Sequence, residues 1–275
     1  SGSVSGGIGT RQNNFNANIN YNKNRFSLSA NVGFNNGWPQ KSASESNQKF
    51  DNSTANSLQT SKGTNEVQRK GIVASVTAGY DFNNFNNFST TFRYNDGGFE
   101  RKGTNDNQFT DYLNSANSLI YTGQSSAKNS FGGFDWNANY THKFTKAGHE
   151  LTLSSQWSHS LVKTNYQNIY SDFYTNQKAN NDGVNNEYTL QLDYTLPVTE
   201  KFKLEAGGKT IIRRIASDFK NYVPDSQNAF VLDPISSNLY KYDQDVASLY
   251  TVGTVTLPKG FTAMAGARFE NTAIK

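Results

Sequence analysis

The side chains best suited to move a proton near neutral pH in this 275-residue chain are three histidines, His142, His149 and His159. A general base needs an oriented partner within hydrogen-bond reach. His149 adjoins Glu150, but both open an alternating run, and neighbours on a strand point to opposite faces. His142 and His159 fall near the ends of two successive runs, so a shared site across that hairpin is geometrically open but exposed histidines are the expectation. Cys is absent, which removes thiolate ligands and thiol nucleophiles. Asp182-Gly183, within Asn180–Glu187, lacks the ordered acidic spacing of a calcium loop and is expected as a turn. Gly6-Gly7-Ile8-Gly9 precedes no helix, so it makes no phosphate cradle. No catalytic, metal or cofactor-binding residue is assigned, and an enzyme is not expected.

Charged residues on one face of alternating runs are more informative. Arg93, Asp135, Asp193, Lys203, Glu205, Arg268 and Glu270 all occupy the polar face and would meet water, another domain or a passing solute. The stretches between runs carry Trp38, Phe99, Tyr121, Tyr170, Tyr174, Tyr222, Phe230 and Tyr240, aromatics able to grip a ligand.

The elements holding these residues are strands. Phe26, Leu28, Ala30, Val32 and Phe34 alternate with Ser27, Ser29, Asn31 and Gly33. Ile72, Ala74, Val76, Ala78 and Tyr80 alternate with Val73, Ser75, Thr77 and Gly79. The same period of two recurs near 15–21, 88–94, 134–140, 151–157, 188–196, 202–206 and 261–269, and more weakly at 2–9 and 243–257. About eleven strands result, with no convincing helix.

Connections of two lengths separate them. Short ones lie at 22–24, 83–87, 146–149, 198–200 and 258–260. Long Asn-, Ser- and Gly-rich ones lie at 36–69, 96–128, 166–186 and 218–242. Short turns on one side and long loops on the other fit an up-and-down transmembrane barrel, whose outward face is apolar and whose interior is polar. Aromatics flank both ends of the runs, as interfacial girdles do.

Composition agrees. Hydrophobic residues are 35% and charged residues 17% of the chain, while 37 asparagines and 13% aromatics replace them. So many aromatics argue against disorder. No apolar run is long enough for a membrane-spanning helix. A net charge of +4 without a basic cluster is no nucleic-acid footprint.

The opening segment Ser-Gly-Ser-Val-Ser-Gly-Gly-Ile-Gly-Thr, then Phe15–Tyr21 and Asn22–Ala30, resembles the first barrel strands of TonB-dependent outer-membrane receptors. The Asn-rich outer-membrane-protein β-barrel family is the nearest likeness. The resemblance implies an outer-membrane location and nutrient import of the siderophore or glycan class. It also implies outer-membrane lipid, a plug domain, the remaining barrel strands, TonB and a surface lipoprotein as partners. Family receptors have about twice as many strands, so residues 1–275 are expected to be one incomplete, open barrel segment. The alternatives are a passive porin or structural barrel, a secreted all-β adhesin or binding module, and an outer-membrane enzyme.

Overall fold

A computed structural model describes residues 1–52 and 55–275. They form one antiparallel sheet of twelve segments. These are β1 (Gly2–Ile8), β2 (Gln12–Lys23), β3 (Phe26–Gly37), β4 (Gln40–Asn52), β5 (Ala55–Asn83) and β6 (Asn86–Asp111). They continue with β7 (Leu119–Lys143), β8 (Glu150–Tyr170), β9 (Gln177–Pro197), β10 (Phe202–Pro224), β11 (Phe230–Thr256) and β12 (Thr262–Ile274).

Neighbours in sequence are neighbours in space, except that β3 and β4 both pair with β5. The β3 residues Phe26–Asn36 take Lys70–Tyr80 of β5, and β4 takes the next stretch, Ala55–Val67. The two are one crossing interrupted at Trp38-Pro39. Pro39 has no N–H to give the ladder, while Trp38 turns its own backbone N–H to the Arg11 carbonyl at 2.9 Å. Twelve segments therefore make eleven crossings, in accord with the count expected from the alternation.

The long connections are where structure and sequence differ. Most of 36–69, 96–128, 166–186 and 218–242 is strand, not loop. The turns at that end shrink to residues 112–118, 171–176 and 225–229, and residues 53 and 54, inside the first of these stretches, lie outside the described residues. Asp182-Gly183 is likewise no turn: both sit inside β9, paired to Val162 and Lys163 on one side and to Ser217 and Asp218 on the other. Ladder bonds need only backbone groups. Strands whose two faces both meet water can persist on Asn, Ser and Thr without apolar alternation.

Along each strand the apolar face changes character abruptly. On β5 the sequence Tyr80, Ala78, Val76, Ala74, Ile72 gives way to Lys70, Gln68, Glu66. On β6, Phe88, Thr90, Phe92, Tyr94 gives way to Asp96, Gly98, Glu100. Phe134 on β7 and Phe144, one residue past its end, bracket the apolar stretch and are ten residues apart. At ~3.4 Å per residue and a tilt of about 40° this is ~26 Å of height, the apolar band of an outer-membrane barrel. Beyond it β6 runs on from Tyr94 to Asp111, ~58 Å more along the strand.

No second layer among the described residues covers the apolar face. Among the described residues Ala179 is the one buried apolar side chain. Soluble sheets bury one face against a partner layer; here lipid must serve.

At the other end the turns are tight. Lys23 pairs with Phe26 and Asn83 with Asn86, leaving two-residue connections at Asn24-Arg25 and Asn84-Phe85. Asn24 takes φ of 55°, a left-handed conformation that Asn accepts more readily than most residues. Short turns belong inside the cell envelope and long extensions outside. An epitope inserted beside Asn56 is expected to label on intact cells, and one at Lys23 only after the outer membrane is breached. The reverse pattern would invert this orientation.

The sheet is open. No ladder joins β1 to β12, and every residue of both strands is exposed.

Candidate functional site: a polar row across the inner face

Register places the polar-face residues in rows that cross the sheet from β1 to β11. One row reads Ser3, Asn18, Asn31, Ser75, Arg93, Asp135, Ser158, Glu187, Arg213, Gln244. Hydrogen bonds join five of its nine neighbouring pairs. Asn18 donates to Ser3 at 2.5 Å, Ser75 donates to Asn31, and Ser158 donates to Asp135. Arg213 donates through Nε to Glu187 at 2.7 Å and through Nη1 to Gln244 at 3.1 Å. Charge-assisted bonds of this kind are stronger than neutral ones. Arg93 and Asp135, both expected on the polar face, are register partners in this row.

Glu187 and Arg213 were not singled out from sequence. Extending the alternation past Thr189 and Gly207 would have placed both on the same face. On the opposite face the adjacent row is Val76, Phe92, Trp136, Trp157, Tyr188, Ile212. Trp157 stacks on Tyr188 with centroids 5.6 Å apart, and Phe134 meets Trp157 edge-on at 4.7 Å. The polar row thus backs a row of large aromatic and aliphatic side chains on the lipid face. One row further out, Arg214 pairs with Asp245 at 2.7 Å and marks the end of the apolar band.

A second cluster lies nearer the short turns. Asp193, Gly207, Tyr250 and Arg268 are successive register partners. The Tyr250 hydroxyl donates to Asp193 across Gly207, and Gln191 donates to the other Asp193 oxygen at 2.9 Å. Lys203 pairs with Glu205 at 3.1 Å and Arg268 with Glu270 at 2.5 Å, each within one strand. Charges in the spanning region therefore gather on β9–β12, whereas the same face of β2–β7 is mostly Asn, Ser, Thr and Gly.

Gly207 leaves room for the Tyr250 ring: a Cβ there would lie 2.4 Å from Tyr250 Cζ and 2.7 Å from the Leu192 carbonyl oxygen. Gly207→Ala is expected to push Tyr250 off Asp193 and to cost about 1–3 kcal/mol, as overpacking does. Urea titration in lipid vesicles, with both edge strands paired, measures it; a midpoint equal to that of the parent would show that the ring moves freely.

The histidines do not converge. His142 Nδ1 lies 2.7 Å from Asn86 Oδ1, His149 Nε2 lies 2.8 Å from the Tyr194 hydroxyl, and His159 Nδ1 lies 2.7 Å from Asn186 Oδ1. His142 and His149 both pack on Phe144, at centroid distances of 4.5 and 3.8 Å. His159 sits against Phe134 at the other end of the apolar band. They belong to the two interfacial girdles.

Of the outer aromatics, the structure brings together Tyr121, Tyr170 and Tyr174, with centroids 4.9–6.2 Å apart. Burial, followed by the neighbouring Tyr174 hydroxyl, raises the Tyr121 phenol above its ordinary pKa. Tyr222 instead carries the Lys178 ammonium 5.3 Å above its ring. Trp38 donates its indole N–H to the Gly9 carbonyl at 2.9 Å, which ties the β3–β4 break to the β1–β2 turn. Phe99, Phe230 and Tyr240 stand apart from the tyrosine group, on β6 and β11.

An up-and-down sheet of this height, apolar outside, polar inside and girdled at both interfaces, defines an outer-membrane β-barrel protein. Residues 142–275 match the outer membrane protein beta-barrel family, and the match places the chain in the outer membrane. No curated protein matches the sequence. Among solved structures, the ferric yersiniabactin uptake receptor FyuA from Yersinia pestis aligns over 99% of this chain and 51% of its own. Identity in that alignment is 7% and the TM-score 0.36. The open form of the ferric-catecholate import receptor Fiu from E. coli covers 99% of this chain and 73% of its own, with 8% identity and a TM-score of 0.14. The chain spans about half the length of FyuA.

Proposed function

We propose that this sheet is part of the barrel wall of a TonB-dependent receptor that imports a nutrient, with transport rather than catalysis as its role. The carrying observation is the polar row on the inner face of ten of the eleven crossings, in a sheet whose edges are not joined. Eight strands already give an interior that side chains can fill, and diameter grows with strand number. A wall this wide encloses a lumen that must be either an open aqueous channel or plugged. The likeness of residues 1–35 to the first strands of plugged receptors supports the second state.

In this reading the free edges of β1 and β12 pair with the remaining barrel strands. The row from Arg93 to Gln244 faces a plug domain, TonB supplies the energy, and a surface lipoprotein can cap the outer mouth. Accumulation of a labelled solute by cells carrying the protein, with and without TonB, tests the proposal. Uptake that vanishes without TonB is expected. Uptake indifferent to TonB, together with solute-driven swelling of vesicles holding the protein, would favour a passive porin.

A further inference from the structure

The outer extension presents a surface that neither lipid nor the polar row accounts for. Tyr121 and Tyr170 lie on the inner face, near the tips of β7 and β8. Tyr174, in the following connection, packs on both. This connection is built rather than loose. The Ser171 N–H donates to the Thr122 carbonyl at 3.0 Å, the Ser171 hydroxyl accepts from the Thr122 N–H at 2.9 Å, and Asn176 Oδ1 accepts from the Tyr170 N–H at 2.7 Å. Phe173 is held at φ of 64°, a strained conformation for a bulky residue and one that clusters at ligand clamps. Tyr174 remains 53% exposed despite its two ring neighbours.

The chemistry around the rings is neutral. Inner-face neighbours are Asn105, Asn107, Gly123, Ser125 and Asn168. The Asn105 amide lies over Gly123, where a Cβ would sit 2.6 Å from its oxygen. Asn107 is 4% exposed and its Nδ2 has no acceptor, an unmet donor beside the platform. The nearby charges are already engaged. Asp111 accepts from the Leu113 and Asn114 N–H groups and from the Asn117 amide, and Asp172 accepts from the Phe173 N–H. Arg101, further down the same face, is held by Asn65 at 3.0 Å.

We propose that Tyr121, Tyr170 and Tyr174 form a binding platform at the outer mouth for a neutral, hydroxyl-rich ligand, a carbohydrate. Its apolar C–H face stacks on the exposed Tyr174 ring, which Tyr121 and Tyr170 brace at an angle, and its hydroxyls meet the Asn105 amide. Aromatic rings supply large contact area with few rotors to freeze. An anionic ferric chelate would require cations at the same place, and among the described residues the platform itself contains no Lys or Arg. The inference rests on the receptor reading and narrows its solute class.

The test uses outer-membrane vesicles carrying the full protein and a panel of fluorescent neutral hexasaccharides of glucose, with a ferric catecholate as the anionic probe. At least one hexasaccharide should bind, insensitive to salt. Tyr174→Ala should weaken it about tenfold or more, as loss of a central aromatic anchor does, while Tyr174→Phe, which keeps the ring, should hold within about twofold. Tyr174 lies in a surface connection, so equal amounts of folded variant are expected and are checked by protease resistance. Binding of no hexasaccharide, or binding unaffected by Tyr174→Ala, overturns the inference. TonB-dependent uptake of the ferric catecholate in the same cells would overturn it too, but would leave the receptor reading standing.

Discussion

Val76→Arg is expected to lower the stability of the sheet, folded in lipid vesicles with both edge strands paired, by about 2–4 kcal/mol, the cost of a cation on the lipid face near the midplane. Thr77→Arg, one residue along, should change it little. Val76 is 44% exposed, with Ala30 and Phe92 as register partners, and lipid alone can cover it. Thr77 points to the other face between Ser29 and Thr91, and its hydroxyl lies 3.0 Å from that of Thr91. An arginine there reaches water and hydroxyls. Urea titrations of the two variants in vesicles measure the difference. Equal losses would mean that the two faces have been assigned wrongly.

A larger effect is expected at the edges. The 275-residue stretch produced alone should fail to give a stable monomer in lipid. β1 and β12 each pair on one side, to β2 and β11, and leave the other side free. Half of the N–H and C=O groups of each edge strand then face hydrocarbon, where every unmet group costs several kcal/mol. Together the two edges amount to tens of kcal/mol, beyond the ordinary margin of stability. Aggregated material, without the gel mobility shift on heating that folded barrels show, is the expected outcome. Supplying strands that pair with both edges should restore a compact form. A monomer alone in lipid, with amide hydrogens on β1 and β12 protected from exchange, would show instead that the two strands find each other and close the sheet.

The spanning portion was legible because lipid imposes its own pattern. One face of every crossing must be apolar over about ten residues. Phe26–Phe34, Ile72–Tyr80 and Tyr188–Leu196 therefore announce themselves by period two, with aromatics at their ends. The same pattern located Arg93, Asp135, Asp193, Lys203, Glu205, Arg268 and Glu270 on the polar face. It also yielded the number of crossings, because Pro39 interrupts a strand without adding one.

Above the membrane the pattern lapses. Glu100–Asp111 and Lys178–Asn186 carry polar side chains on both faces, since both faces meet water, and read as loop. Their strand character comes from ladders with neighbours on either side, a partnership that no single segment encodes. The polar row has the same origin. Ser158, Glu187, Arg213 and Gln244 are scattered through the chain, and only the register of four strands sets them side by side. Tyr121, Tyr170 and Tyr174 likewise meet only because β7 and β8 are paired as far as Gly123 and Tyr170. Local alternation thus determines which way each side chain points. Which residues stand level with one another is decided by backbone pairing between distant segments, and the tertiary structure alone sets that register.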